Sequence, residues 1–357
     1  MTRARSHIAA MAPYALADLS PPEGVPLISL SQNESLRPPS PRAVTAAAHA
    51  MADAALYPDP DWTALRQALA AHHALDPNAI LCGNGSLDLI SCIARTFAGT
   101  GRAVLAPAHA YPFFRTVAAM SDARFDAAPE DGTTANVDAL LAAVRPDTGL
   151  VFIANPGNPT GTRVSRADLL RLRTDLRDDI LLVIDEAYGE FADHLDEPFF
   201  DLVTSGNTAV LRTFSKAYGL AGMRIGWGLF PPALATEIRK VMNPNTLTSA
   251  SESAAIAALE DHAYMRETVD LTRQSRDAIR ARLTAAGYRI AESLTNFLLI
   301  ELASRTEAQR LDTAFRAHGI FLRPQSGAGL PHCLRLTIGP EDHMTAALEI
   351  LEREART

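Results

Sequence analysis

The sequence is short of several things at once, and each shortage removes a class of protein. Its 357 residues hold three cysteines, Cys82, Cys92 and Cys333, with no C-x-x-C pair and no metal-ligand spacing. That excludes a disulfide framework or a zinc knuckle and makes a reducing cytoplasm the expected setting. Positive charge is scarce too: 33 Lys and Arg against 41 Asp and Glu leave a net charge of −8, which argues against nucleic acid as a partner. Long apolar runs are missing. The run 8–12 stops at Pro13 before an export-signal core builds up, and the run 180–184 is closed at once by acids, far short of the roughly 18 residues a membrane span needs. There is no internal repeat and no low-complexity tract. What remains is a globular composition, 47% apolar and 21% charged, on a chain long enough for about two domains.

Between about residues 78 and 230, short apolar runs alternate with helical patterns. The runs are 80–82, 103–106, 150–154, 180–184, 209–213 and 225–229, with helices expected at 87–97 and 165–176. This alternation predicts an α/β fold whose central sheet is mostly parallel. From about 245 the pattern changes to a helical stretch, 249–286, too long to stay straight in a compact domain, followed by strands near 296–301, 320–323 and 333–338 and two further helices. A smaller α+β domain is expected there. Pro13, Pro21, Pro22 and Pro26 suggest an extended arm at the start. The expected limits are an arm over 1–30, a large domain over 31–244 and a small domain over 245–357.

The chemistry-bearing residues sit where strands stop, the place where open α/β sheets bind ligands. Lys216 follows a buried strand among small and hydroxyl residues, where partial desolvation lowers an amine's pKa and favours the neutral, nucleophilic form that a Schiff-base lysine needs. Thr213, Ser215 and Arg224 supply two hydroxyls and a guanidinium suited to a phosphate. Alone, this pattern equally fits a surface lysine after a strand. Asn155-Pro156-Gly157-Asn158-Pro159-Thr160-Gly161 makes a rigid turn that can aim the Asn155 amide into a cleft, or can be only a tight loop. Asp185 leaves a fully apolar strand, where an unpaired carboxylate is costly, so it needs a cationic partner. A pyridinium nitrogen is such a partner, and the set together suits pyridoxal phosphate, with Asn155 and Tyr188 bonding the phenolic oxygen. Gly85, Ser86 and Leu87 stand between a strand and a helix, where free N–H groups and the helix dipole favour the cofactor phosphate, although such a turn can also merely cap the helix.

These four motifs, in this order, resemble those of fold-type I pyridoxal-phosphate aminotransferases of class I/II, and the nearer likeness is to the histidinol-phosphate aminotransferase family. The residues that carry it are Asn33-Glu34 with Pro38-Pro39-Ser40-Pro41, Tyr57-Pro58-Asp59-Pro60, the turn at 155–161, Asp185-Glu186-Ala187-Tyr188-Gly189-Glu190-Phe191, the Lys216 segment and Leu334-Arg335-Leu336-Thr337-Ile338-Gly339. The resemblance spans essentially the whole chain. It implies that Lys216 holds the cofactor and moves the proton at the substrate carbon, and that Arg335 grips a substrate carboxylate. It further implies that Tyr57 reaches the cofactor phosphate of a second subunit in a homodimer. Tyr14 and Arg323 match positions lining the substrate pocket, Arg323 where a second anion such as a phosphate would lie. His109 falls where the family places an aromatic on the cofactor ring, with Tyr111 as the alternative. Several positions depart from the family pattern: Leu87-Asp88 replaces Asp-Glu after Gly85-Ser86, Leu56 replaces an arginine, and His109 stands in place of an aromatic.

The implied activity is transfer of an amino group from histidinol phosphate or an aromatic amino acid to a 2-oxo acid such as 2-oxoglutarate. A threonine-phosphate decarboxylase on the same scaffold is one rival. A ligand-sensing module is another, for which the roughly 30 residues before the first motif leave no room for a DNA-binding winged helix. His49, His72, His73, His262, His318 and His332 lack metal-ligand spacing, and no metal is expected.

Overall fold

The computed structural model describes residues 2–13, 18–196, 198–204 and 206–355. Seven strands, β1 (Ile80–Gly83), β2 (Ala103–Pro107), β3 (Phe125–Ala128), β4 (Thr148–Ala154), β5 (Leu181–Asp185), β6 (Thr208–Thr213) and β7 (Gly226–Leu229), form one sheet in the order β1-β7-β6-β5-β4-β2-β3. From β6 to β3 all neighbours are parallel, and β7 alone runs against β1 and β6. The α/β reading is correct. β5 and β6 are buried along their whole length and β4 along all but its last residue, which is why they read as unbroken apolar runs: helices cover both faces. β3 escaped the sequence because this edge strand, Phe-Asp-Ala-Ala, is buried only at its last residue and has no apolar run to announce it.

Register then sets the functional residues side by side. Ala154 pairs with Asp185 and Asp185 with Leu211, so the ends of β4, β5 and β6 lie at one edge, with Asn155 and Thr213 flanking the carboxylate. The helix Ser86–Phe97 starts beside them, after the turn in which Asp88 Oδ2 accepts the Asn84 N–H at 3.2 Å. The helix Arg166–Asp175 is capped by Ser165, whose side chain accepts the Asp168 N–H, so the hydroxyl satisfies one of the donors the first turn leaves open.

The second sheet, β8 (Arg289–Ile290), β9 (Phe297–Glu301), β10 (Arg323–Gln325) and β11 (Leu330–Thr337), is antiparallel in the order β8-β9-β11-β10. The long helical stretch does bend, splitting at Asp261 into Ser249–Glu260 and His262–Ala285. Ala254, Ala255, Ala258, Leu259 and Met265 belong to the larger core cluster, whereas Ile279 and Leu283, on the same second helix, belong to the smaller one. Residues 249–265 therefore pack with the large sheet although they follow the limit expected at 245. The first residues are not wholly extended: Ser6–Ala9 is a short helix, and Ile28–Ser29 pairs in parallel with Ile320–Phe321 of the second domain.

Candidate functional site

A cavity of about 480 Å³ lies where the ends of β4, β5 and β6 face the second sheet, a volume within the usual range for small-molecule sites. It gathers Ser86, Leu87, Asp185, Tyr188, Thr213, Ser215, Lys216, Arg224, Arg323 and Arg335 from the sequence-derived set, residues that span 250 positions of chain.

Lys216 Nζ donates to the carbonyls of Asn33 (2.9 Å) and Gln32 (3.2 Å) and lies 5.9 Å from the centre of the Tyr188 ring. Burial, reinforced by the charges of Arg335 and Arg224, pulls its pKa from the ordinary 10.5 down to about 7, with Glu34 and Asp185 pulling the other way. A lysine so placed loses its proton around pH 7 rather than near 10.5 and so supplies the neutral form that a nucleophilic amine needs.

Asp185 is 5% exposed, and its Oδ1 accepts the Ala187 N–H at 3.0 Å. Among the described residues no Lys or Arg forms an ion pair with it, and burial pushes its pKa up to about 6. The hydroxyl of Tyr188 accepts from Asn33 Nδ2 at 2.7 Å, and burial raises its pKa to about 12. Asn33 is tied in turn to Thr337 of β11, whose Oγ1 donates to Asn33 Oδ1 (3.1 Å). The chain between Leu30 and Glu34 thus floors the cavity and joins the two domains.

The anion end is built from the helix Ser86–Phe97, whose first N–H groups have no partner within the helix, and from the segment after β6. Thr213 Oγ1 accepts the Ser215 N–H at 3.1 Å, and Arg224 Nη1 lies 3.5 Å from Ser215 Oγ while donating to the Ala221 carbonyl at 2.8 Å. Gly85 has φ +78°, and a Cβ there would fall 2.6 Å from Arg224 Nη2, so the turn both needs left-handed backbone and must stay bare beneath the guanidinium. At the far end Arg335 donates to Asn158 Oδ1 and to the Ser31 carbonyl, each at 2.6 Å. Arg323 is its register partner on β10.

Several expected positions are corrected. Asn155 does not reach the cavity: its amide closes on Val164, donating to the carbonyl (3.1 Å) and accepting the N–H (2.7 Å), so it shapes the turn. Asn158, three residues on, is the asparagine on the wall. His109 is not on the wall either. Its N–H is bound by Glu130 Oε1 and its Nδ1 by the Ala328 carbonyl, leaving Tyr111 as the aromatic that lines the cavity. Gly85 stands behind the wall and acts through its backbone shape. Tyr57 is 89% exposed and does not line this cavity within one chain. Tyr14 lies outside the described residues. Sequence reading gave no role to Asn33, Glu34, Asn158 or Gln325, all lining residues. The second asparagine of the 155–161 turn was the one signal available for Asn158.

The donor set suits pyridoxal phosphate. A buried carboxylate without a cation, a lysine shifted toward neutrality and a phosphate-type cradle occupy one cavity, and each supplies what a different part of that molecule requires.

Comparison with known proteins agrees with this geometry. Residues 25–351 match the family model for aminotransferase class I and II. A histidinol-phosphate aminotransferase of Rhodospirillum rubrum is 42% identical over 333 residues, covering 91% of this chain and 89% of that protein. The crystal structure of histidinol-phosphate aminotransferase from Sinorhizobium meliloti, in complex with pyridoxal-5'-phosphate, superposes with a TM-score of 0.92 at 30% identity, covering 100% of this chain and 98% of that one. L-threonine-O-3-phosphate decarboxylase from Porphyromonas gingivalis has a TM-score of 0.80 at 22% identity over 93% of this chain and 100% of that one, a likeness of fold alone.

Proposed function

This chain belongs to the class I and II aminotransferase family and is a pyridoxal-phosphate-dependent aminotransferase; from that premise we propose that its amino donor is a phosphorylated amino alcohol of the histidinol-phosphate kind and its acceptor a 2-oxo acid such as 2-oxoglutarate. The observation that carries this reading is the arginine pair. Arg323 and Arg335 face one another across β10 and β11 and share the cavity wall. Like charges directly opposed on neighbouring strands repel, and an anion between them converts that repulsion into two charge-assisted contacts. The donor's phosphate can take that place in one half-reaction and the acceptor's carboxylate in the other. The named relatives support the same donor.

Bound pyridoxal phosphate supplies an electron sink for the substrate's amino-bearing carbon. The chain supplies the rest. Ser86, Leu87, Ser215 and Arg224 are the residues to hold the phosphate. Asp185 is the carboxylate to keep the ring nitrogen protonated, and a cation opposite it returns the carboxyl to its ionised form. Tyr188 and Asn158 offer a hydroxyl and an amide at the ring edge, and Tyr111 is the aromatic to lie against the ring. Lys216 Nζ, poised near neutrality, takes up and returns the proton at the substrate carbon.

A homodimer follows from the same reading: Val44, Met51, Leu56 and Tyr57 are exposed apolar residues close together in sequence, and a second copy covering them would bring Tyr57 to its partner's cavity. A cytoplasmic setting is supported by three free, buried cysteines. No helix among the described residues is long and apolar enough to cross a membrane. The test is a donor panel in single half-reactions, followed by absorbance, with CO2 release measured alongside. Histidinol phosphate should outrun aromatic amino acids, and threonine phosphate, which carries the carboxylate that histidinol phosphate lacks, should release no CO2. A preference for aromatic donors would overturn the phosphate reading, and CO2 release would restore the decarboxylase.

A further inference from the structure

β10 is a short, irregularly paired part of the cavity wall. It is three residues long, lies at the edge of its sheet, and its pairing with β11 is interrupted between Pro324 and Gln325. Short edge strands with broken register are poorly fixed by their sheet. Yet Arg323 and Gln325 both line the cavity and need a set position to read a substrate.

A second anchor stands just beyond the strand. The turn Ser326–Ala328 follows β10, and the Ala328 carbonyl lies 2.8 Å from His109 Nδ1. A carbonyl can only accept, so Nδ1 carries the proton. The next residue, Gly329, has φ +76°, and a Cβ there would sit 3.4 Å from the imidazole Nδ1, so the chain runs beside the Nδ1 edge of the ring. On the large-domain side, His109 is itself firmly held. Its N–H donates to Glu130 Oε1 at 2.7 Å, the preceding Ala108 N–H donates to the Ala128 carbonyl of β3 at 2.8 Å, and Tyr111 and Pro112, immediately following, line the cavity.

We propose that His109 is a latch between the domains: a positioning residue that, through Ala328, sets Arg323 and Gln325 at a fixed distance from the Tyr111 wall and so governs recognition of the substrate's distal anion. It touches neither the reacting atoms nor the cavity. The proposal rests on the phosphorylated-donor reading for its kinetic consequence and on geometry alone for its structural one.

The test uses cofactor-loaded enzyme with His109→Phe, which keeps a ring and removes the donor, and His109→Asn, whose amide can replace Nδ1–H. His109→Phe should raise KM for histidinol phosphate roughly three- to tenfold, the range a net hydrogen bond carries, with kcat and the KM for an uncharged aromatic donor within about twofold on the same scale. Hydrogen exchange at the Gly329 amide, which is bonded to the Ser326 carbonyl, should speed up in His109→Phe without any substrate, and His109→Asn should restore both readouts. Unchanged exchange in residues 326–330 overturns the latch. So does an equal rise in KM for both donors, or a failure of asparagine to rescue. Wild-type enzyme that ignores histidinol phosphate overturns the donor reading instead, and the exchange measurement then decides the latch by itself.

Discussion

Replacing Asp185 by asparagine separates what this carboxylate costs the fold from what it does for the reaction. The side chain is 5% exposed, and burial lifts its pKa from the usual 3.8 to about 6. The folded chain therefore binds a proton there more tightly than the unfolded chain. Below about pH 3.8 the group is protonated in both states and no penalty exists; the penalty grows as pH rises and is complete above about pH 6. At 1.36 kcal/mol per pKa unit the full cost is about 3 kcal/mol. Asparagine has the same size, can still accept the Ala187 N–H and carries no charge. Cofactor-free Asp185→Asn should thus match the wild type near pH 4 and exceed it by about 3 kcal/mol at pH 8, read as the difference in urea unfolding midpoints at the two pH values. The loaded variant should keep its cofactor through the phosphate cradle and lose on the order of 10²-fold or more in turnover, the scale seen when a preorganised electrostatic partner is removed. A stability difference that does not change between pH 4 and 8 would refute the claim that this carboxylate is desolvated and unpaired, and near-normal turnover would refute its place opposite the ring nitrogen.

Other outcomes test other parts of the site. Borohydride reduction and peptide mapping should place the cofactor on Lys216, and uptake of the cofactor by the empty protein should rise about tenfold per pH unit up to about pH 7 and level off above it, since only the neutral amine reacts; a rise that continues unbroken through pH 8 and beyond would count against the lowered pKa. Arg323→Ala should weaken a phosphorylated donor by about one to two decades, the worth of a charge-assisted hydrogen bond, and leave an uncharged aromatic donor almost unaffected; equal losses would make Arg323 structural. Asn155→Ala should lower stability by about 2 kcal/mol because it strands the Val164 backbone groups, whereas Asn158→Ala should raise KM with little change in the unfolding midpoint. The reverse pattern would restore Asn155 to the cavity.

How much was legible beforehand depended on how local each signal was. The sheet could be read because β4, β5 and β6 are covered on both faces and so appear as apolar runs, and Asp185, Thr213 and Lys216 could be read because residues at the ends of adjacent parallel strands must meet at one edge. The helix start at Ser86 and the hydroxyl and guanidinium spacing after β6 are local patterns of the same kind. They were enough for the fold class, the cofactor and the presence of Lys216 at the cavity.

What the sequence by itself determined, then, was which side chains leave the sheet at its carboxyl edge. What only the tertiary structure decided was where side chains from loops turn, and which distant segments they meet. Asn155 and Asn158 share one turn and are alike in chemistry, yet one closes on Val164 and the other meets Arg335 of the second domain. His109 and Tyr111 are two residues apart, and their roles separate only because the turn after β10 brings a carbonyl to the Nδ1 edge of His109. Asn33 contacts Tyr188 and Thr337, partners 155 and 304 positions away. No period or local propensity encodes such a pairing, because its partners come together only when two separately built cores pack against each other.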